Sequence, residues 1–218
     1  MKNRKNNILL WAAALLPFLM VAAIWARLPV QVPTHWGFSG SADQYSPRWV
    51  LWMLAAVNPL ICLLMAFFPK ADPKSGNYQK FRGSYWVFQF AMALFLDALM
   101  ALTLLETLRP GTVNISVAMQ LFIAVLLMVV GNMMPKFRQT YFCGIKTPWT
   151  LASERVWTRT HRLGGRLYFV AGICVFAGAF AVTTVGFAVL LAAVIAAAVI
   201  PAVMSYVWFL QEQKGQAQ

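Results

Sequence analysis

The fold class is decided by one stretch of 23 residues, Phe187–Phe209, which reads FAVLLAAVIAAAVIPAVMSYVWF. It carries no charged side chain, and about twenty apolar residues are enough for a helix to cross a bilayer. Five other stretches have a similar length and character: Ile8–Ala26, Trp49–Phe68, Tyr85–Leu105, Val113–Met134 and Leu167–Thr184. The sequence therefore predicts an all-α, polytopic membrane bundle of about six transmembrane helices, the first retained rather than cleaved as a signal peptide.

The overall composition agrees with this class. Of 218 residues, 61% are hydrophobic and only 11% are charged, whereas a soluble domain has about 25% charged residues. The net charge of +12 is spread over short connections between apolar runs. It is better explained by topology and anionic lipid headgroups than by nucleic acid, so no direct nucleic-acid binding is expected. The three cysteines are odd in number and have no metal-ligand spacing, which predicts free thiols.

The distribution of Lys and Arg predicts the orientation. With six spans, fifteen of these residues fall on one side of the membrane and three on the other. The positive-inside rule places the fifteen, and both termini, in the cytoplasm, with the spans in an inner membrane. The last two spans are separated only by the stretch around Thr183 and Gly186, which predicts a helical hairpin; a single bent helix is the alternative.

Polar residues and prolines interrupt the spans. The prolines are Pro17, Pro59 and Pro201, and each removes a backbone donor. Asn58, beside Pro59, is placed to satisfy a freed carbonyl. Asp97 lies deep in the third span, two turns after Gln89, and an ionisable residue at that depth faces a bundle interior or a cavity. Two interpretations remain open for Asp97: a proton or substrate path, and a protonated or hydrogen-bonded packing contact.

The loop of residues 27–48 is the one long connection on the predicted outer side. Pro33 favours an extended backbone, and a polar–aromatic cluster follows, made of His35, Trp36, Phe38 and Asp43. His35 and Asp43 are close enough in sequence to share a hydrogen bond, but two candidate ligands do not make a metal site. The loop is either an aromatic anchor at the membrane interface or a sensor of an extracellular ligand.

The predicted cytoplasmic loop, residues 135–166, has two halves. Pro135, Gly144 and Pro148 make the first half irregular. The second half predicts a helix that Thr150 or Ser153 caps and that Gly164–Gly165 break or bend. On this helix Arg155, Arg159, Arg162 and Arg166 fall within an arc of about 60°. Such a basic stripe suggests either a phosphate ligand, lipid headgroups included, or a solvated face that only fixes topology.

Glu154 and His161 lie two turns apart on the same helix, with Trp157 between them. A carboxylate that orients an imidazole is an element of acid–base catalysis. No nucleophile, second ligand set or glycine-rich phosphate loop accompanies the pair, so a structural contact between His161 and Glu154 is favoured. The sequence predicts no catalytic residues, no metal and no cofactor.

A family resemblance rests on the same loop. It is carried by Asn132, Pro135, Lys136, Tyr141, Lys146, Thr147, Pro148, Trp149, Glu154, Trp157, His161 and Arg162. This pattern resembles the signature of the SdpI family, and the run Val32-Pro33-Thr34-His35-Trp36 resembles a membrane domain of unknown function that often precedes it. The sequence departs from the signature at Cys143, Lys146 and Arg155, where the family pattern has an aliphatic residue, Arg and an acidic residue.

The resemblance implies a protein of the bacterial inner membrane, a non-enzymatic immunity or signalling protein that gives resistance to a secreted antimicrobial peptide toxin. It also implies partners: a toxin outside, and inside a repressor-type regulator that the protein holds at the membrane. The two resemblances predict a division into residues 1–110 and 111–218. The alternatives are a membrane enzyme or transporter for an anionic, lipid-linked substrate, with the arginine stripe and His161 as its site, or a packing subunit of a larger assembly. The oligomeric state is left open.

Overall fold

The protein is seen here in a computed structural model that describes residues 4–37 and 40–216. Its helices are α1 Arg4–Ile24, α2 Val50–Ala71, α3 Asn77–Lys80, α4 Arg82–Leu108, α5 Ile115–Met133, α6 Pro148–Ala152, α7 Glu154–Gly178 and α8 Thr183–Gln216. Short 3-10 turns follow α1 and α5 at Trp25–Arg27 and Met134–Lys136. Two strands, β1 Gln31–Trp36 and β2 Ala42–Pro47, lie between α1 and α2. The predicted class, a polytopic helical membrane bundle, is confirmed.

Among the described residues, five helices are long and apolar enough to cross a membrane: α1 with its 3-10 extension, α2, α4, α5 with its extension, and α8. The sixth predicted span, Leu167–Thr184, falls on the second half of α7 and the turn after it. It is not among the five because α7 begins with a polar half that carries four arginines. The chain reverses between Gly178 and Thr183, so the predicted helical hairpin is confirmed and the single bent helix is wrong.

Asn58 connects the first three long helices. Its side-chain amide donates to the carbonyl of Ala93 at 3.1 Å, to Asp97 Oδ1 at 2.8 Å and, more weakly, to the carbonyl of Ala13 at 3.5 Å. Pro17 lacks an N–H, so the carbonyl four residues earlier, that of Ala13, has no helical partner. Asn58 thus reaches a carbonyl freed by the proline of α1, and not one freed by the adjacent Pro59, as its position had suggested.

Glycines bring α5 and α7 into close contact. A Cβ atom on Gly131 would lie 2.7 Å from the carbonyl oxygen of Gly165, and one on Gly172 would lie 2.7 Å from that of Ala124. Small residues allow this approach, and membrane helices use it because lipid gives apolar side chains no reason to associate. The helix runs unbroken through Gly164 and Gly165. The predicted break at these glycines is therefore wrong, and close packing accounts for them instead.

The loop of residues 27–48 forms a β-hairpin, which the sequence did not indicate. The strands pair antiparallel with Val32 opposite Ser46 and Pro33 opposite Tyr45. Pro33, which has no N–H to offer a ladder, is tolerated because a two-stranded sheet consists only of edge strands. Phe38, which the sequence placed in the polar–aromatic cluster here, lies outside the described residues.

The bundle has two ends, defined here by what they carry. The hairpin end carries β1, β2 and the start of α8; the motif end carries the loop of residues 134–153 and the turn of residues 72–81. Tyr141 N–H bonds to Asp72, which ties the two motif-end segments together. The hairpin end is the predicted outer side and the motif end the predicted cytoplasmic side. That orientation, and the division at residue 110, which falls in the turn between α4 and α5, remain predictions.

Candidate functional site

His161 and Trp157 form the buried centre of the motif end. Their rings stack with centroids 4.0 Å apart. The backbone N–H of Ile145 donates to His161 Nε2 at 2.9 Å, so the imidazole proton is on Nδ1 and donates to the carbonyl of Trp157 at 2.8 Å. The Trp157 indole N–H donates to the carbonyl of Phe137 at 2.9 Å. Both side chains therefore fasten the irregular loop to α7.

This arrangement keeps His161 neutral. The residue precedes the apolar half of α7 and has no exposed surface. Burial lowers its pKa from 6.5 to about 4, although the hydrogen bond to the carbonyl of Trp157 acts in the opposite direction. Protonation would also place a second ring N–H against the N–H of Ile145. An imidazole with both nitrogens engaged by backbone groups holds the loop in place and has no free nitrogen for a substrate.

The contact predicted between His161 and Glu154 is wrong. Glu154 is exposed in the first turn of α7, while the partners of His161 are the backbone groups of Ile145 and Trp157. The two residues share a face by helical spacing, but α7 begins at Glu154 and its first turn extends beyond the packed part of the loop. The side chain that caps α7 is Ser153, as predicted, with Ser153 Oγ accepting from the N–H of Val156.

Gly144 allows the loop to approach the two rings. Its φ of +112° favours glycine, and a Cβ atom there would lie 2.4 Å from His161 Nε2 and 2.9 Å from the Trp157 ring. Cys143, next to it, is buried, and burial raises the pKa of its thiol to about 12. All three cysteines are free thiols, as predicted.

Gln139 and Asp72, which the sequence did not single out, also hold the loop in place. Gln139 is buried and donates to the carbonyls of Thr150 and Leu151 at 2.7 and 2.8 Å, and its own side-chain carbonyl accepts from Lys74. Asp72 accepts the N–H groups of Tyr141 and Phe142 at 2.8 and 3.2 Å. Asp72 is an acidic residue in an otherwise basic turn, and this contrast in the sequence could have indicated a structural role for it.

The C-terminal part of α8 fixes the remaining side of the loop. Thr147 caps α6 through a capping box with Thr150, and its hydroxyl is 2.9 Å from that of Ser205. The ring of Trp149 lies 4.9 Å from that of Tyr206. Ser153 Oγ donates to Glu212 at 2.7 Å. One helix therefore touches the loop at two places about two turns apart, Ser205–Tyr206 and Glu212.

The motif residues predicted from the sequence divide by exposure. Trp157 and His161 are buried, and Thr147 and Trp149 are half-buried. The exposed ones are Asn132, Pro135, Lys136, Tyr141, Lys146, Pro148, Glu154 and Arg162. Only the buried and half-buried group meets in a single network, so the exposed group is the part of the motif that remains available to a partner.

The basic stripe faces outward along its whole length, since Arg155, Arg159, Arg162 and Arg166 are all exposed. The guanidinium of Arg159 lies 5.8 Å from the Trp208 ring centroid, within cation–π range. Arg155, Arg159, Trp208 and Glu212 line a cleft of about 240 Å³ between α7 and α8. The sequence did not predict that α8 contributes to this cleft, because that contribution depends on how α7 and α8 pack in their helical hairpin.

At the hairpin end, the hydrogen bond predicted between His35 and Asp43 is confirmed, with Nδ1 2.6 Å from Oδ1. The two side chains are 58% and 49% exposed. They form part of the rim of a cavity of about 730 Å³ that descends between the helices to Asn58. Trp36 lines the cavity, whereas Pro33 is buried within the hairpin.

Asp97 lies near the floor of that cavity without lining it. It is 5% exposed, accepts from Asn58 through Oδ1, and its Oδ2 has no hydrogen-bond partner among the described residues. Gln89, on the same helix, is also buried. The hydrogen-bonded packing contact is the interpretation of Asp97 that this geometry supports.

Comparison with known proteins gives one match at each end of the bundle. Residues 136–205 match the SdpI/YfhL protein family, and residues 12–58 match a domain of unknown function, DUF1648. The Immunity protein SdpI of Bacillus subtilis (strain 168) is 26% identical over 196 residues, which cover 88% of this chain and 92% of the relative. No solved structure matches the chain. The resemblance to the SdpI family is confirmed. With the five apolar helices, it makes this a multi-pass membrane protein.

The two matched regions coincide with the two sets of contacts. The SdpI-like region extends from Lys136 to Ser205, and so includes the loop, α7 and the α8 hydroxyl that bonds to Thr147. The DUF1648 region includes the hairpin and ends at Asn58, the residue that joins α1, α2 and α4. Each matched region therefore contains the central part of one end, although the turn of residues 72–81 and the α8 residues Tyr206 and Glu212 lie outside the SdpI-like match.

Proposed function

We propose that this protein gives a bacterium immunity to a secreted, membrane-active antimicrobial peptide and that it acts from the inner membrane. The observation that carries the proposal is the similarity to Immunity protein SdpI, which covers 88% of the chain and includes both matched regions. A likeness limited to the SdpI-like region would support a shared fold element. Similarity along nearly the whole chain supports a shared role.

The hairpin end supports the same proposal. A secreted peptide arrives from the outer side, and the distribution of Lys and Arg predicts that the hairpin end faces that side. The hairpin and the cavity beneath it form a large concave surface there, and specific ligands bind preferentially in such surfaces. An immunity protein that receives the peptide at this end would keep it from assembling in the surrounding bilayer.

The proposal is tested by survival. The chain is expressed in a sensitive bacterium, an SDP-class peptide is added, and membrane depolarisation is recorded beside an empty-vector strain. We expect the wild-type chain to suppress depolarisation, and Asp97→Asn to retain protection because Asp97 packs within the bundle. Depolarisation equal to that of the empty vector, with normal insertion of the wild-type chain, would refute the proposed function.

A further part of the proposal is that the motif end captures a cytoplasmic regulator. It is supported by the outward-facing arginine stripe and by the exposed side chains of the motif, which lie on the surface of the motif end. We expect Arg159→Glu with Arg162→Glu to abolish co-sedimentation of transcription regulators with membranes from peptide-treated cells, and to leave insertion intact. Unchanged co-sedimentation would contradict regulator capture and leave immunity standing.

The alternative, action on an anionic lipid-linked substrate, is supported by one feature, the cleft that Arg155 and Arg159 share with Trp208 and Glu212. A paired guanidinium site of this kind suits phosphate. The buried, fully bonded His161 does not favour acid–base chemistry beside it. Phosphorus analysis of the purified protein distinguishes the two: tightly bound lipid phosphate that Arg155→Gln releases would favour the alternative.

A further inference from the structure

The cavity at the hairpin end has an apolar wall and a polar rim. Its wall is formed by side chains from α2, α4, α5 and α8, among them Leu54, Leu96, Leu99, Met119, Ile123 and Leu190. Its rim includes His35 and Asp43, which are about half exposed, so the cavity communicates with solvent at this end. A volume of about 730 Å³ lies within the usual range of specific ligand sites, about 300–1,000 Å³.

Two polar atoms that belong to cavity-lining residues have no hydrogen-bond partner among the described residues. One is the side-chain carbonyl oxygen of Gln120, a residue that is only 6% exposed; the other is the indole N–H of Trp36. A buried acceptor or donor without a partner costs free energy, and folded proteins seldom leave one so. One is an acceptor, the other a donor, and both residues line the same cavity.

We propose that this cavity binds an apolar segment of a peptide, with Gln120 accepting a hydrogen bond from a peptide N–H and Trp36 donating one to a peptide carbonyl. The proposal rests on the proposed function and names the site at which the antimicrobial peptide is received. Each peptide group carries one donor and one acceptor, which is the complement of what the cavity lacks. An acyl chain would fill the apolar volume and satisfy neither group.

The helix that carries Leu190 and Leu191 provides a matched pair of variants. Leu190 lines the cavity, whereas Leu191 is 45% exposed on the outside of the bundle. Leu190→Trp therefore fills the cavity, and Leu191→Trp adds the same indole where lipid surrounds it. With full-length protein in lipid nanodiscs and a fluorescently labelled SDP-class peptide, we expect Leu190→Trp to weaken binding about tenfold and Leu191→Trp less than about twofold.

Gln120→Met provides a second variant that tests the hydrogen bond rather than the space. Methionine has nearly the same length and no acceptor, so the loss of one hydrogen bond should weaken peptide binding about fivefold to tenfold. Because the acceptor has no partner among the described residues of the free protein, the same substitution should leave the unfolding temperature unchanged or raise it. A structural role for Gln120 predicts the opposite, a lower unfolding temperature with unchanged peptide affinity.

The outcomes separate this site from the proposed function. If wild type protects cells and binds peptide while Leu190→Trp binds equally well, the site is wrong and immunity stands. If wild type neither protects nor binds, both fail. Native mass spectrometry adds one more arm: a phospholipid retained by wild type, lost in Leu190→Trp and not displaced by the peptide would identify the occupant as lipid and overturn the proposal.

Discussion

The two ends of the bundle differ in whether their buried polar side chains have hydrogen-bond partners. At the motif end, each nitrogen of His161, the indole N–H of Trp157 and the amide of Gln139 has a partner within the loop or its supporting helices. At the hairpin end, Gln120 and Trp36 each leave a buried polar atom without a partner among the described residues, beside an open apolar cavity. Apart from the hydroxyl of Thr160 on α7, which has no partner among the described residues, the motif end is complete as folded. The hairpin end has bonding capacity left for a ligand.

This difference means that the family signature and the proposed ligand site lie at opposite ends of the molecule. A fully satisfied polar network fixes one conformation, so the buried half of the motif specifies the shape of the loop. A binding site instead needs unfilled volume and unsatisfied groups. The buried motif residues therefore mark the part that needs a defined shape, whereas Gln120, one of the two groups able to receive a ligand, lies outside both matched regions.

The largest expected effect is at Gly144. Gly144→Ala places a Cβ 2.4 Å from His161 Nε2 at a φ of +112°. Because the ring stack cannot yield without losing its hydrogen bonds, we expect a loss of more than about 3 kcal/mol in the free energy of unfolding. The measurement is equilibrium unfolding in mixed micelles, with in-cell proteolysis of the loop as a second observation.

Gly111 provides the matched control. It has a φ of +75° with open space around it, so Gly111→Ala isolates backbone strain and should cost only about 1–2 kcal/mol. Equal losses at the two glycines would mean that the close packing against His161 contributes nothing to stability.

A smaller effect is expected from pH. The pKa of His161 is about 4 in the folded protein against an ordinary 6.5. Above pH 6.5 the folded and unfolded chains are both neutral at this residue, so it adds no pH dependence. As pH falls from 6.5 to 4, only the unfolded chain takes up the proton, and stability falls by an amount on the order of 3 kcal/mol.

The assay is the free energy of unfolding as a function of pH. His161→Gln should remove this slope, whereas His35→Gln, a substitution of an exposed histidine, should leave it intact. A slope that persists without His161 would assign the acid sensitivity to another group.

The smallest effect is expected at the exposed pair of the hairpin end. Asp43→Asn removes the charge from the hydrogen bond to His35, and exposed pairs contribute about 0.2–1 kcal/mol. We therefore expect an unfolding temperature within a degree or two of wild type. A large loss would mean that the hairpin end depends on its polar contacts as strongly as the motif end does.

Helical periodicity and hydropathy predicted five of the six expected spans, the α7–α8 hairpin and the arginine stripe, because these depend on neighbours within a few turns. The β-hairpin was missed, since Pro33 and the short strands give little alternation to detect. Asp72 and Gln139 were missed because their partners lie up to 70 residues away. The expected Glu154 contact was wrong because helical spacing gives a direction but not the point at which a packed surface ends.

The polar start of α7 has a consequence for biogenesis. Its apolar part, Leu167–Gly178, has twelve residues and is about 18 Å long, whereas the hydrocarbon core of a bilayer is about 30 Å thick. Such a segment is too short to leave the translocon into lipid alone. The following helix, α8, has the highest mean hydropathy of the five apolar helices among the described residues, 2.7, and emerges from the ribosome after α7. The membrane placement of α7 is therefore settled only when α8 has been synthesised, since the two helices enter the membrane as a pair.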